Sequence, residues 1–231
     1  DAIPTNIANK AKVIWLNYPN NPTGAIATLD YYKRVVRFAE KYNIAVLHDA
    51  CYTEVTYDGY KPPSFLETPG AMNVGAEFHS LSKTFNMTGW RLGMAAGNKD
   101  IIDKLLIVKS NLDSGVPAAI QEMGVKALQE PPHLIHERNE IYKTRRDSVI
   151  KVLRNLGLTV DTPKASLYIW ARVPKGFTSE SFSETVLEQC DVLVSPGTGY
   201  GENGSGYIRL SLTLPDKDIK TALERMSKLN I

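Results

Sequence analysis

The stretch from Val13 to Asp49 constrains the fold more than any other part of the chain. Its first four residues are apolar and precede a loop rich in Pro, Asn and Gly, as in a buried strand that ends in a turn. Thr28 then predicts a helix N-cap, and apolar side chains recur at helical spacing until Asn43. A second apolar run, Ile44–Asp49, follows. Strand, helix and strand in this order form a βαβ unit, which predicts a parallel sheet with right-handed crossovers.

Further along, the chain continues this α/β pattern. The apolar stretches Glu77–Leu81 and Leu92–Ala96 predict two more strands, and helical spacing resumes after them. One long helix is predicted over residues 132–156, with Gly157 as its end. We also predict that Trp15 and Trp170 are core residues of their strands.

Beyond the long helix the predicted elements become shorter. The strands are predicted at Tyr168–Val173, Val192–Ser195 and Tyr207–Thr213, and the helices near Thr178–Gln189 and Pro215–Leu229. We therefore expect two domains: the C-terminal portion of a large domain with a mainly parallel sheet over residues 1–140, and a smaller α+β domain over residues 141–231.

Composition limits the partners that the chain can have. A formal net charge of +2, with scattered basic residues, argues against nucleic acid or an anionic membrane as the partner. No apolar run approaches the ~20 residues that a membrane-spanning helix needs. Cys51 and Cys190 are too few for a disulfide framework, and His133 and His136 have no further ligands nearby for a metal. We expect a cytoplasmic protein without a metal site, whose partners are small molecules or a second copy of itself.

Polar residues follow the predicted strands where parallel strands end, which is the edge at which open sheets bind ligands. The first group is the turn from Asn20 to Gly24. Asn21 can direct its amide at a ligand from this turn, although a tight turn alone explains the same residues equally well.

The second group pairs Asp49 with Tyr52. A carboxylate there can cap a helix, or it can hold a heteroaromatic nitrogen protonated, since a buried anion stabilises an adjacent cation.

The third group surrounds Lys83. Ser80 and Ser82 place hydroxyls beside it, and Arg91 follows after a glycine. Two hydroxyls and a guanidinium predict a phosphate site, because Arg binds phosphate through a planar, charge-assisted fork. Lys83 is then placed to form an imine with a carbonyl compound. A lone lysine in a loop is usually solvated and inert, so this prediction depends on its neighbours.

The fourth group is the glycine-rich stretch Ser195–Gly201, with Arg209 in the strand after it. The glycines indicate a flexible or closely approached loop and do not match a dinucleotide-binding motif, because no crossover helix follows directly. Arg209 lies in an alternating strand, where a surface salt bridge is the ordinary interpretation. Its alternative role is to bind the carboxylate of a substrate.

Taken together, the four groups resemble the fold-type-I aminotransferases, and the resemblance covers nearly the whole chain. It implies pyridoxal phosphate as the cofactor. It also implies that Asn21 and Tyr52 hydrogen-bond the cofactor's 3′-oxygen, that Asp49 pairs with its pyridine nitrogen, and that Lys83 is the catalytic residue that bonds covalently to it.

The same resemblance implies roles for the remaining candidates. Ser80, Ser82 and Arg91 are expected to hold the cofactor phosphate. Arg209 is expected to bind the α-carboxylate of the substrate, with Asn21 beside it.

The sequence between these groups is similar to that of LL-diaminopimelate aminotransferases. The similarity is seen in Leu16–Ala25, Tyr57–Phe65, His79–Arg91 and Lys109–Gly115. It implies amino-group exchange between LL-2,6-diaminopimelate and 2-oxoglutarate, in lysine biosynthesis. Aspartate, alanine and aromatic amino acids are the alternative substrates, since related aminotransferases act on them.

The family pattern also leads us to expect an N-terminal part before this chain, together with a homodimer. That part supplies a further phosphate-binding turn, an aromatic residue that stacks on the cofactor, and residues of the neighbouring subunit's site. We expect poor cofactor retention from the chain alone. Two rival hypotheses are the ligand-sensing domain of a transcription regulator and an inactive homologue, the second disfavoured by the presence of Lys83, Asp49, Tyr52 and Arg209.

Overall fold

The computed structural model describes residues 2–231, and the chain divides into two compact units. The first contains the residues up to Pro19, Ile26–Thr56 and Tyr60–Ile135. The second contains Asn20–Ala25, Tyr57–Gly59 and His136–Ile231. The assignment of residues 1–140 and 141–231 to a cofactor-binding domain and a small domain stays a prediction.

A four-stranded sheet organises the first unit. Its strands, in spatial order, are β1 (Val13–Asn17), β2 (Ala45–Asp49), β3 (Gly75–Ser80) and β4 (Gly93–Gly97). The pairs β1–β2 and β2–β3 are parallel, and β4 runs antiparallel to β3. The predicted α/β class with a mainly parallel sheet is therefore confirmed, and β4 is its antiparallel strand.

Helices connect and flank these strands. They are α1 (Thr5–Ala8), α2 (Leu29–Tyr42), α3 (Ala71–Val74), α4 (Leu81–Thr84), α5 (Lys99–Leu112) and α6 (Ala118–Leu128), with short 3-10 helices at Phe65–Glu67 and Thr88–Trp90. The long helix α7 (Pro132–Asn155) follows them and lies, from His136 onward, in the second unit. No helix within residues 2–231 is both long and apolar enough to span a membrane.

Both ends of α2 follow from its sequence. The side chain of Thr28 accepts a hydrogen bond from the Tyr31 N–H, at 3.2 Å, and so satisfies one of the donors that a helix start leaves unpaired. At the other end Asn43 adopts the left-handed conformation, with φ of 52°, which short polar side chains tolerate. The apolar stripe of the helix is buried through Tyr32 and Val36.

The core of the first unit lies on the α2 side of the sheet. Leu16, Val46 and Phe65 pack there with the buried face of α2. Trp15 precedes Leu16 in β1, so its side chain points to the opposite face of the sheet, where it is 67% exposed. The prediction that Trp15 is a core residue is wrong, because strand alternation does not tell which face of a sheet is covered.

A second four-stranded sheet organises the second unit. Its strands are β5 (Thr159–Val160), β6 (Tyr168–Arg172), β7 (Ser195–Pro196) and β8 (Tyr207–Ser211), in the order β5-β6-β8-β7 and all antiparallel. The accompanying elements are α8 (Ser179–Cys190), α9 (Asp216–Met226) and 3-10 helices at Gly197–Tyr200 and Glu202–Gly204. The strand predicted at Val192–Ser195 is wrong except at its last residue, because the observed strand β7 consists of Ser195 and Pro196. Trp170 is half-buried rather than a core residue.

Candidate active site

Asp49 lies at the carboxyl end of β2, as the sequence predicts for a ligand-binding edge. Its Oδ1 accepts a hydrogen bond from the Cys51 N–H at 3.1 Å, which fixes the start of the following turn. Asn17, at the end of the neighbouring strand β1, donates from Nδ2 to the Asp49 carbonyl at 3.0 Å. The first contact orients the half-buried carboxylate, and the second holds the backbone of Asp49.

The Lys83 amine lies over the face of the Tyr52 ring, with 5.9 Å between Nζ and the ring centroid. Tyr52 is only 4% exposed, and Lys83 is half-buried in the short helix α4. An ammonium group at this distance is attracted to the electron-rich ring face. The structure thus brings together these two candidates, which are 31 positions apart in the chain.

Ser80 and Ser82 form the start of α4. Ser80 caps this helix, because its Oγ accepts a hydrogen bond from the Ser82 N–H at 3.2 Å. The Ser82 hydroxyl is buried and has no hydrogen-bond partner within residues 2–231. A buried polar atom is costly unless it is paired, so such an atom needs an explanation.

Arg91 is connected to Ser82 through Thr88. The Thr88 hydroxyl donates to the Ser82 carbonyl at 3.2 Å, and Nη1 of Arg91 donates to the Thr88 carbonyl at 3.1 Å. Arg91 itself is exposed and adopts the left-handed conformation, with φ of 53°. The sequence does not predict a role for Thr88. Its place in the loop between Ser82 and Arg91 is the only indication.

Cys51 lies in the same turn as Asp49. Burial and the adjacent Asp49 carboxylate raise the pKa of the Cys51 thiol to about 12, against a small opposing effect of the Lys83 charge. The thiol is therefore protonated at neutral pH and does not act as a nucleophile.

A buried carboxylate, Glu77, lies in β3. It is 2% exposed, and its two oxygens accept hydrogen bonds from four donors. The donors are the His48 ring at 3.1 Å, the Phe65 N–H at 2.6 Å, the Ser64 hydroxyl at 2.8 Å and the His79 ring at 3.2 Å. Burial alone raises the pKa of Glu77, but the bonds from His48, His79 and Ser64 outweigh it and lower that pKa well below its usual range.

The same network fixes the ring of His48, which is fully buried. Since ionised Glu77 only accepts hydrogen bonds, Nδ1 of His48 donates to it, and Nε2 forms a hydrogen bond with the Tyr32 hydroxyl at 3.1 Å. His48 directly precedes Asp49 in β2. Sequence reasoning missed this network, because a Glu in a strand is ordinarily expected at the surface.

In the second unit, the turn that carries Asn21 is closed by its own side chains. Oδ1 of Asn20 accepts hydrogen bonds from the Thr23 N–H at 3.0 Å and from the Thr23 hydroxyl at 2.6 Å. Gly24 follows with φ of +70°, a conformation that glycine adopts without strain. The turn is therefore rigid on both sides of Asn21.

Arg209 meets this turn directly. Its Nη1 donates to Oδ1 of Asn21 at 3.0 Å, and its guanidinium carbon lies 4.2 Å from the ring centroid of Tyr168 and 4.8 Å from that of Tyr200. Its Nε is buried and has no partner within residues 2–231. A half-buried cation that retains an unpaired donor is suited to bind an anion. Neither tyrosine was predicted from the sequence to be a site residue.

The described residues contain no candidate metal centre. No group of three or more His, Cys, Asp or Glu side chains there is arranged to hold an ion.

Comparison with known proteins supplies the family. The model of the aminotransferase class I and II family matches residues 1–226. The chain belongs to this family. Enzymes of the aminotransferase class I and II family depend on pyridoxal phosphate.

Relatives of this aminotransferase chain are similar over nearly its whole length. The LL-diaminopimelate aminotransferase of Dehalococcoides mccartyi strain BAV1 is 56% identical over 227 residues, which are 98% of this chain and 58% of the relative. That of Moorella thermoacetica is 49% identical over 228 residues, which are 99% of this chain and 58% of the relative. The chain thus spans less than two thirds of the length of these relatives.

A solved structure agrees with the fold. The substrate-bound structure of BacF from Bacillus subtilis superimposes with a TM-score of 0.93 at 38% identity, over 99% of this chain and 58% of BacF. The aminotransferase fold therefore extends through both units of the chain.

Proposed function

We propose that this chain is part of an enzyme that moves an amino group between LL-2,6-diaminopimelate and 2-oxoglutarate with pyridoxal phosphate. The contact between the Lys83 amine and the buried Tyr52 ring carries the proposal, because it places a primary amine beside the turn that follows Asp49. The similarity to LL-diaminopimelate aminotransferases, at 49% and 56% identity in the two cases above, supports the choice of substrate.

The residues of the first unit fit the cofactor. The buried, unpaired Ser82 hydroxyl is the kind of donor that a phosphate oxygen satisfies, and Ser80 stands two residues before it. Arg91 is tied to Ser82 through Thr88, so its guanidinium adds the positive charge that a phosphate needs. We assign Ser80, Ser82 and Arg91 to the phosphate.

Two further residues are assigned to the cofactor ring, along with Asn21. Asp49, held by the Cys51 N–H and by Asn17, keeps a proton on the pyridine nitrogen, because an adjacent anion stabilises the cation. Tyr52 and Asn21 serve as hydrogen-bond partners of the 3′-oxygen. Bound pyridoxal phosphate supplies an aldehyde that condenses with amines and a ring that accepts the electrons released at the substrate Cα.

Lys83 and Arg209 act on the substrate in this proposal. Lys83 would hold the cofactor through Nζ, and its amine, once free, would carry a proton as general base and acid between the substrate Cα and the C4′ carbon of the cofactor. Arg209 binds the α-carboxylate through its unpaired Nε, while its bond to Asn21 keeps the guanidinium in place.

The test of the reaction is Lys83→Ala beside Lys83→Arg in the full-length protein. Both variants are expected to lose turnover by a factor of about 1000 or more and to lack the visible absorption of lysine-bound cofactor, since neither has a free primary amine. Normal turnover by Lys83→Ala would overturn the proposal.

The test of the substrate is a comparison of amino donors. LL-2,6-diaminopimelate, aspartate, alanine and phenylalanine are each supplied with 2-oxoglutarate, and glutamate formation is measured. The highest kcat/KM is expected for LL-2,6-diaminopimelate. A preference for another donor would replace that substrate and keep the reaction, and a spectral change without any glutamate would favour a ligand-sensing domain.

The proposal also includes the oligomeric state of the protein and its location in the cell. We assign a homodimer in the cytoplasm, as the resemblance to aminotransferases implies, and sedimentation of the full-length protein tests the dimer. A monomer that retains full activity would contradict it.

A further inference from the structure

We propose that Tyr200 is a positioning residue, which holds the Arg209 guanidinium so that Nε is left for the ligand. The inference rests on the proposed function, in which Arg209 binds the carboxylate of the substrate. It concerns the glycine-rich loop Ser195–Gly201, to which the reaction itself assigns no role.

Arg209 makes two kinds of contact, with aromatic ring faces and through a hydrogen bond. Two ring faces, of Tyr168 and Tyr200, lie 4.2 and 4.8 Å from its guanidinium carbon, and Asn21 accepts from Nη1. Within the described residues no carboxylate pairs with Arg209, and Nε is the buried donor without a partner. The rings attract the cation without using its N–H groups. The tyrosines therefore fix the guanidinium and leave its hydrogen-bonding capacity to a ligand.

Tyr200 is in turn held by a row of stacked side chains. Its ring meets Trp170 edge to face, with centroids 5.8 Å apart, and Trp170 stacks on Tyr207 at 5.2 Å and an interplanar angle of 11°. Nη2 of Arg172 donates to the Tyr207 hydroxyl at 2.7 Å. Edge-to-face and stacked pairs of this kind are favourable aromatic geometries. The row gives the 41% exposed Tyr200 a fixed support.

Glycines bring the loop onto this row. A Cβ at Gly197 would collide with the Gly204 carbonyl oxygen and lie 2.9 Å from Cη2 of Trp170, and a Cβ at Gly204 would collide with the Gly197 carbonyl oxygen. Only glycine at both positions lets the backbone approach so closely. The close approach places the 3-10 helix Gly197–Tyr200 against Trp170, with Tyr200 at its end next to Arg209.

The experiment measures the Kd of 2-oxoglutarate for the full-length protein loaded with pyridoxal phosphate. Calorimetry is suitable, because 2-oxoglutarate has no amine and does not react with this form. Tyr200→Leu removes the ring, Tyr200→Phe keeps it, and Tyr207→Leu is the matched control that removes a ring from the same row without touching Arg209. The visible absorption of the bound cofactor reports whether each variant is folded and loaded.

Tyr200→Leu is expected to raise the Kd about 3- to 30-fold, which corresponds to the loss of one cation–π contact. Tyr200→Phe and Tyr207→Leu are expected to stay within about 2-fold of the wild type. In turnover, Tyr200→Leu is expected to raise KM for 2-oxoglutarate more than it lowers kcat, with unchanged cofactor absorption.

Two results overturn the inference while the proposed function stands. In one, wild type and Tyr200→Leu bind 2-oxoglutarate equally. In the other, Tyr200→Phe weakens binding as much as Tyr200→Leu, so that the ring face of residue 200 is not what holds Arg209. A wild-type protein that binds no 2-oxoglutarate overturns the proposed function, and the inference with it.

Discussion

Arg209 donates a 3.0 Å hydrogen bond to the side chain of Asn21, although the two residues are 188 positions apart in the sequence. Asn21 stands in a turn that is rigid by its own hydrogen bonds, and Arg209 stands in the middle of β8. The bond uses Nη1 and leaves Nε unpaired within the described residues. The bond to Asn21 therefore holds the guanidinium at Nη1 and leaves Nε available to a ligand.

Replacing Asn21 tests this relationship. Asn21→Ala removes the acceptor and is expected to raise the Kd of 2-oxoglutarate about 10-fold, the cost of one hydrogen bond to a charged group. Asn21→Asp is expected to weaken binding more, because its carboxylate pairs with Arg209 and competes with the ligand. Calorimetry with the cofactor-loaded protein measures both. Tighter binding to Asn21→Asp than to Asn21→Ala would contradict the expectation.

The network around Glu77 predicts a large effect on stability. Glu77→Gln keeps the size of the side chain but replaces an oxygen acceptor with an NH2 donor, so it leaves buried partners unpaired. The free energy of unfolding is expected to fall by about 3 kcal/mol in urea denaturation. The control is Glu67→Gln, at an exposed position in the nearby 3-10 helix Phe65–Glu67, with an expected change within about 0.5 kcal/mol. Equal effects of the two substitutions would count against the network.

The same carboxylate predicts a pH dependence. The pKa of folded Glu77 lies below the ordinary value of 4.5, so the unfolded chain takes up the proton first as the pH falls. The stability that Glu77 contributes is therefore complete above about pH 4.5 and declines as the pH falls toward the folded pKa. Urea titrations at several pH values are expected to show that wild type and Glu77→Gln converge below that pH. A constant difference down to about pH 3 would contradict this assignment.

The two cysteines predict a chemical result. Burial raises the pKa of both thiols, that of Cys51 to about 12, so the thiolate that reacts with disulfide reagents is scarce in the folded protein. At about pH 8, Ellman's reagent is expected to react at least about 100-fold more slowly with Cys51 of the native protein than with free cysteine. Both thiols are expected to react after denaturation, and Cys51→Ser reports Cys190 alone. Fast native labelling of Cys51, located by peptide mass, would contradict the prediction.

Local structure was largely predictable from sequence. Thr28 and Asn43 bound α2 as predicted, and the long helix predicted over residues 132–156 is α7, Pro132–Asn155. Such ends are predictable because capping depends on a few neighbouring residues and on the conformational freedom of their backbone. The strands β1, β2, β3, β6 and β8 were also located to within about two residues by their apolar pattern.

Contacts between distant residues were not predictable in the same way. The burial of Glu77 depends on donors from four other positions, of which His48 lies 29 residues away. The exposure of Trp15 depends on which face of the sheet the helices cover, and the aromatic contacts of Arg209 depend on how β6 and the loop after β7 meet β8. No single segment contains these partners.

The sequence by itself determined the family, the order of the elements and the identity of the chemical groups, because a short motif such as Ser80 to Lys83 carries its residue types wherever the chain folds. Only the tertiary structure decided which groups are paired. In the folded chain the Lys83 amine lies over the Tyr52 ring, and Arg209 contacts the Asn21 amide and the Tyr200 ring. Glu77 accepts hydrogen bonds from its four donors. The physical reason is that hydrogen bonds and ring contacts act over a few ångströms, and distances of that kind between remote positions exist only after packing.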